Sequence, residues 1–284
     1  VQRRQQLSAQ TTTAAQPAGH ETPVILGGVR GGPSKKTLRT DRWWLQPAAT
    51  ASGLLVFVVY ATWAAFQNAN YYVGPAMHRD YLSPLYSPCL AQNCKYVWGP
   101  VLGSWWSISP AIAVLIFPLG LRLTCYYYRK AYYRSYWGSP PACAVADAHR
   151  SYTGETRFPL VLQNAHRWFF YIGAIFAGIN IFDAVAAFRG FSGGIGMGLG
   201  TLILCVNGVL LSLYTLSCHS CRHLLGGQLR SFHTHRFRYW LWDKITPLNK
   251  HHMLFAWLSL FWVAFTDLYI RLVAAGWIHD PRFF

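Results

Sequence analysis

The heptapeptide SCHSCRH, residues 217–223, sets two thiols and two imidazoles side by side at the end of a long apolar run. Thiolates suit zinc and iron–sulfur centres, facing imidazoles suit a b-type haem, and two of each suit a Rieske-type 2Fe-2S centre. On a continuous helix each residue advances about 100°. Cys218 and Cys221 then share one stripe, while His219 and His223 share another. The stripes diverge, so one small centre needs ligands from other helices, or the helix must unwind. Further donors recur near helix ends: Cys125, His166, His251 and His252. Taken singly, each is an ordinary boundary or packing residue, as are His149, His233, His235 and His279. Cys205, set among Leu and Val, reads as a small apolar packing group. The dense heptapeptide departs from that pattern, because ionisable groups near hydrocarbon are costly and mark functional paths.

The elements that must position these donors follow from composition. Of 284 residues, 53% are hydrophobic and only 12% charged, against about a quarter charged in soluble domains. Apolar runs of the roughly 20 residues needed to span a bilayer occur at 48–66, 105–126, 168–188, 195–216 and 253–275. They predict an all-α integral membrane bundle of five helices over 48–276, with a basic tail at 1–47 and a short outer tail at 277–284. Lys and Arg are retained on the cytoplasmic side, and they crowd the first tail and the loops after the second and fourth runs. The amino terminus is therefore expected to be cytoplasmic in a multi-pass plasma membrane protein. The tail lacks the apolar core and cleavage site of a signal peptide and reads as flexible or docked on a partner. Cys125, Cys143, Cys218 and Cys221 fall on the reducing inner side, free to bind metal. Cys89 and Cys94 fall outside, where a small disulfide-closed turn is expected.

The net charge of +16 is explained by lipid orientation. No zinc-finger spacing or RNA-binding signature accompanies it, so nucleic acid is discounted as a partner. A small-molecule transporter accounts for five helices and buried acids, but it does not need the heptapeptide and usually shows broken helices or an inverted repeat. Asp183 and Asp267, inside apolar runs, are expected to pair with Arg189 and Arg271 or to form a proton path. Arg222 either adds positive charge beside a redox centre or meets lipid phosphate.

Four blocks carry a family resemblance: LRLTCYYYRKAYYRSYW at 121–137, SPPACAVADAHRSYTGETRFPLVLQNAHRWFFY at 139–171, LYTLSCHSCRHL at 213–224 and NKHHMLFAWLSLFWVAFTDLY at 249–269. They resemble the cytochrome b-type membrane anchor of an actinobacterial-type succinate dehydrogenase, respiratory complex II. The resemblance spans nearly everything from Asp41 onward. It implies that the chain docks a flavoprotein and an iron–sulfur protein on the cytoplasmic face and passes their electrons to a quinone, menaquinone before ubiquinone, within a complex that can form higher oligomers. Five-helix anchors of the wider family often hold two b-type haems, with histidines from helices that include the first two. Here no histidine occurs at 48–66 or 105–126, so an outer haem lacks ligands. The expected centre is a membrane-embedded Rieske-type 2Fe-2S cluster on two thiolates and two imidazoles from Cys125, Cys218, Cys221, His166, His219, His223 and His252. One b-type haem is the alternative, and an anchor with no redox centre the next. For the quinone, Tyr127, Arg129 and Trp168 offer aromatic surface and polar groups at the inner boundary.

Overall fold

The apolar runs fold as helices of membrane-spanning length. A computed structural model describes residues 37, 39–74, 77–90, 109–148, 155–189, 194–227 and 229–284. Among them, four helical stretches are long and apolar enough to cross a bilayer: α1 (Leu45–Gln67), Leu160–Ala186, α5 (Leu199–Leu216) and α8 (His252–Ala274). The second of these begins as a 3-10 turn and continues as α4 (His166–Ala186). The remaining run is not one straight span. It divides into α2 (Pro110–Thr124) and α3 (Tyr126–Tyr132), which ends in a π-helical turn, Tyr133–Trp137, and the two parts meet at a 76° bend. Four spans are thus straight, and a fifth is counted if the bent pair crosses as one.

The bend has a local cause. Cys125 takes φ −66°, ψ 133°, an extended conformation that removes it from the helical ladder. Cys218 does the same after α5, with φ −61°, ψ 140°, before α6 (His219–Gly226). A further amphipathic helix, α7 (Arg236–Lys250), separates α6 from α8. These two short helices fold a basic segment whose charge conceals its helicity from any apolar-run criterion.

The centre of the bundle is α4, α5 and α8, and α1 lies at its periphery with only Ala64 and Ala65 buried. Close approach of α2 and α4 depends on glycine. A Cβ on Gly120 would overlap the Phe169 ring, and one on Gly173 would overlap Leu121. Gly120→Ala is therefore expected to cost about 1–3 kcal/mol through overpacking, read as a lowered Tm of the purified complex. Gly178→Ala, on α4 with nothing within 4 Å, is the control and should leave Tm unchanged or raised.

One end of the bundle is closed by a hairpin of β1 (Tyr72–Val73) and β2 (Tyr81–Leu82), paired antiparallel. Polar groups lock it to the helices. Asp267 accepts hydrogen bonds from Arg271 Nε at 2.7 Å, from Tyr60 at 2.6 Å and from Ser83. Asp280, past α8, accepts from Arg79 Nε, Tyr81, Tyr269 and the backbone N–H of Gly200, all between 2.7 and 2.9 Å. The expected Asp267–Arg271 pair thus forms, as i,i+4 spacing on one helix face permits. The expected Asp183–Arg189 pair does not: six residues apart on a helix means about 240° around the axis. Asp183 instead accepts from Ser87, and Arg189 is exposed.

At the same end Cys89 is buried and disulfide-bonded, while its expected partner Cys94 lies outside the described residues. Residues 1–36 of the basic tail also lie outside them. Where the tail becomes described, Arg39 donates to the Cys143 carbonyl at 2.7 Å and Thr37 to that of Ala144 at 3.3 Å.

Candidate metal centre

At the end opposite the hairpin, the two helix breaks meet. Cys125 and Cys218 are each the residue that precedes a short helix, α3 and α6 respectively. Each sulfur therefore sits at the positive end of a helix dipole, where thiolate is favoured. Cys218 Sγ also accepts from the Ser220 backbone N–H at 3.4 Å.

Two histidines complete a closed ring of contacts. His166, at the start of α4, holds Nδ1 at 3.0 Å from Thr124 Oγ1 and Nε2 at 3.2 Å from Cys218 Sγ. His252, at the start of α8, holds Nδ1 at 2.7 Å from Ser217 Oγ and Nε2 at 3.6 Å from Cys125 Sγ. Each imidazole is thus fixed by the hydroxyl that precedes one cysteine and faces the sulfur of the other. The Thr124 and Ser217 hydroxyls donate to the Gly120 and Tyr214 carbonyls, so each can accept from an Nδ1–H, the tautomer that leaves Nε2 with a lone pair. The sequence signal for this brace is a repeated hydroxyl–cysteine dipeptide, Thr124-Cys125 and Ser217-Cys218, which ligand counting alone overlooks.

The site is dry. Cys125, Cys218 and His252 are each at most 2% exposed. Burial pushes the Cys218 thiol up to about 11, against the lowering effect of the Ser220 and Cys221 backbone N–H groups. His219 is exposed and lies edge-on to His252 with ring centroids 6.1 Å apart. Its pKa is lowered by burial first and then by Arg222. Tyr127 covers both rings, 5.6 Å from His252 and 6.3 Å from His219. Tyr214 stacks flat on the other face of the site, 5.1 Å from His252.

The remaining expected donors lie apart. Cys221 is buried in apolar surroundings that raise its pKa, and it reaches the Cys218 sulfur through its backbone and not its thiol. His223 is exposed and accepts from Arg167 at 2.9 Å. Cys143 is exposed and Cys205 half-buried, both free thiols. Arg222 turns away to stack on Trp242 at 4.3 Å and to bond Thr246. Of the quinone candidates, Tyr127 touches the site, Arg129 pairs with Glu155 at 3.2 Å, and Trp168 is exposed.

Among the described residues, no three His, Cys, Asp or Glu side chains gather tightly enough for a single metal ion. The donors come instead as two thiol–imidazole pairs, a set whose chemistry fits a binuclear iron–sulfur centre with two thiolates and two imidazoles.

The family model for actinobacterial succinate dehydrogenase subunit SdhC matches residues 45–276. A solved structure, the Mycobacterium smegmatis Sdh1 complex in the apo form, contains a chain 50% identical to this one. The two superpose with a TM-score of 0.81 over 92% of this chain and 98% of that one. A search of curated proteins finds no match.

Proposed function

Since the chain belongs to the actinobacterial succinate dehydrogenase SdhC family and is thus a multi-pass membrane anchor subunit of that complex, we propose that it also relays electrons to quinone through Cys125, Cys218, His166 and His252. The flavoprotein and iron–sulfur partners dock on the α6–α7 end. The concentration of Arg and Lys in its loops supports placing that end, and the amino terminus, on the cytoplasmic side. The bent pair α2–α3 then serves as a fifth span.

The observation that carries the relay is the closed ring of two thiols, two imidazoles and two hydroxyls. When bound there, a Rieske-type 2Fe-2S centre supplies one-electron transfer between the partner's clusters and quinone. Cys125 and Cys218 provide thiolates held at helix N-termini. His166 and His252 provide Nε2 lone pairs, and Thr124 and Ser217 hold both rings in register. Tyr127 and Tyr214 exclude water from the imidazole faces. Overall, succinate gives up two electrons and two protons in the soluble subunits, and quinone takes two of each at this chain, menaquinone being the expected acceptor.

Paired optical and low-temperature EPR spectra of the dithionite-reduced complex test this. A Rieske-type signal without a haem band, lost in His166→Ala, supports the relay. A haem band, or no signal beyond those of the partner subunits, overturns it.

The hydroxyl brace makes a separate prediction. Ser217→Ala and Thr124→Val each remove the partner of an Nδ1 atom, for which losses of roughly 10–100-fold in metal affinity are usual. Both should purify with less iron and a weaker EPR signal. Ser212→Ala, whose hydroxyl bonds only the Gly208 carbonyl of its own helix, should retain both.

A further inference from the structure

The ring of four leaves one nearby thiol unused. Cys221 is buried, its thiol makes no hydrogen bond among the described residues, and it shares an apolar cluster with Cys125 and Cys218. Two further free thiols lie elsewhere, Cys143 exposed and Cys205 against the core of α4, α5 and α8. Cys221 stands in a different relation to Cys218. The two form a C-x-x-C pair at the start of α6, with Cys218 preceding the helix and Cys221 in its first turn.

That spacing at a helix start is the arrangement of reversible dithiols. On the inner side proposed for α6, disulfides are transient and redox-sensing. The geometry supports such a pair. Cys218 Sγ turns back over the first turn of α6, where it accepts from the Ser220 backbone N–H at 3.4 Å and is also reached by that of Cys221. The sulfur thus lies over the backbone of the residue whose thiol it would join. Side chains three apart on a helix stand about 5–6 Å apart at Cβ, and a disulfide needs about 3.5–4.5 Å. Cys218 has φ −61°, ψ 140°, outside the helical ladder, so a modest rotation there closes the difference without unwinding α6. His219 and His223, on the same helix, are exposed, which places the pair one side chain below the surface.

We propose that Cys218 and Cys221 form a reversible disulfide whenever Cys218 holds no metal centre, so that Cys221 protects the ligand sulfur. The inference rests on the relay reading, which makes Cys218 a ligand, and gives Cys221 a part that reading does not contain. The oxidant is a peroxide. The Cys218 thiol takes one oxygen from hydrogen peroxide, giving a sulfenic acid and water. The Cys221 thiol then attacks that sulfur, the S–O bond breaks, and the disulfide and a second water result. Two thiols have lost two electrons and two protons, and the peroxide has gained them. Without a neighbouring thiol, further peroxide carries the sulfenic acid on to sulfinic acid, which thiols do not reverse. The disulfide, by contrast, is reopened by exchange with a reducing thiol, and Cys218 is again free to bind iron. With the centre in place Cys218 is engaged and the pair stays open.

The test compares the full-length chain in lipid nanodiscs, made under iron limitation, with the loaded complex. Each is exposed to hydrogen peroxide, its free thiols are alkylated, and its peptides are read by mass spectrometry. The iron-free chain is expected to carry a Cys218–Cys221 disulfide that dithiothreitol reopens, after which iron and sulfide are taken up as before oxidation. The loaded complex is expected to show no such disulfide. Cys221→Ser should take up iron like the wild type before oxidation and lose nearly all of that uptake after it, with Cys218 found as sulfinic acid. A disulfide between Cys218 and Cys125, one formed equally in the loaded complex, or full recovery of oxidised Cys221→Ser overturns the proposal. Absence of a Rieske-type EPR signal from the complex before any oxidant is added overturns the relay itself.

Discussion

His252→Ala is expected to lower succinate-driven quinone reduction by well over 100-fold, exceeding the roughly 10–100-fold that loss of an outer hydrogen-bond partner costs. His252 is 2% exposed, its Nε2 faces Cys125, and its Nδ1 is held by Ser217. Alanine removes a donor for which the described site has no substitute: the nearest imidazole, His219, is exposed and edge-on at 6.1 Å. His166→Ala should match it, because the two histidines occupy equivalent places in the ring. His223→Ala and Cys221→Ser should remain close to wild type, since His223 bonds Arg167 and the Cys221 thiol makes no hydrogen bond to the ring of four among the described residues. The check is quinone reduction by each purified complex, alongside succinate oxidation by a dye that takes electrons directly from the soluble subunits. A loss confined to His223→Ala, with His252→Ala close to wild type, would show that the heptapeptide histidines, not the ring across helices, hold the centre.

The second large effect concerns stability. Asp267→Leu is expected to destabilise the anchor by about 3–5 kcal/mol, the usual result of leaving one member of a buried ion pair uncompensated. Asp267 is fully buried and accepts from three side chains on α8, α1 and the hairpin segment. Its loss strands the Arg271 guanidinium, which otherwise bonds the Ala64 and Ala69 carbonyls at 2.8 Å. The complex should accumulate poorly and melt earlier in detergent. Asp267→Leu combined with Arg271→Met should recover part of the loss, as replacing both members of a pair with apolar groups is often neutral. A double variant no more stable than Asp267→Leu would show that the Tyr60 and Ser83 hydroxyls, not the ion pair, depend on this carboxylate.

How much of this could be read from sequence depended on which physical signal carried each element. Apolar runs located α1, α5 and α8 to within about four residues at either end, because hydrocarbon-length segments have a strong one-dimensional signature. The bend at Cys125 was not legible: Thr124 and Tyr126 continue the apolar pattern, and the break is set by a backbone conformation that no periodicity reports. Helices α6 and α7 escaped for the opposite reason, being short and charged. At the site, one helix does not gather all four heptapeptide donors, as the 100° step requires. The heptapeptide contributes one cysteine to the ring of four, and Cys125, His166 and His252 come from three other helix ends. Local density of donors drew attention to His223 and Cys221, whereas proximity is decided by helix packing. Asp267 and Arg271 were legible as an i,i+4 pair, and Asp183 was not, since its partner Ser87 is 96 residues away.

The Asp280 lock has a consequence for biogenesis. Arg79 and Tyr81 emerge from the ribosome some 200 residues before the carboxylate that satisfies them. Chains fold from the amino terminus during synthesis, so the hairpin waits without its Asp280 contacts until α8 has been made and inserted. Sealing of that face then reports completed insertion, and a chain stalled before α8 presents an unfinished surface that membrane quality control can recognise.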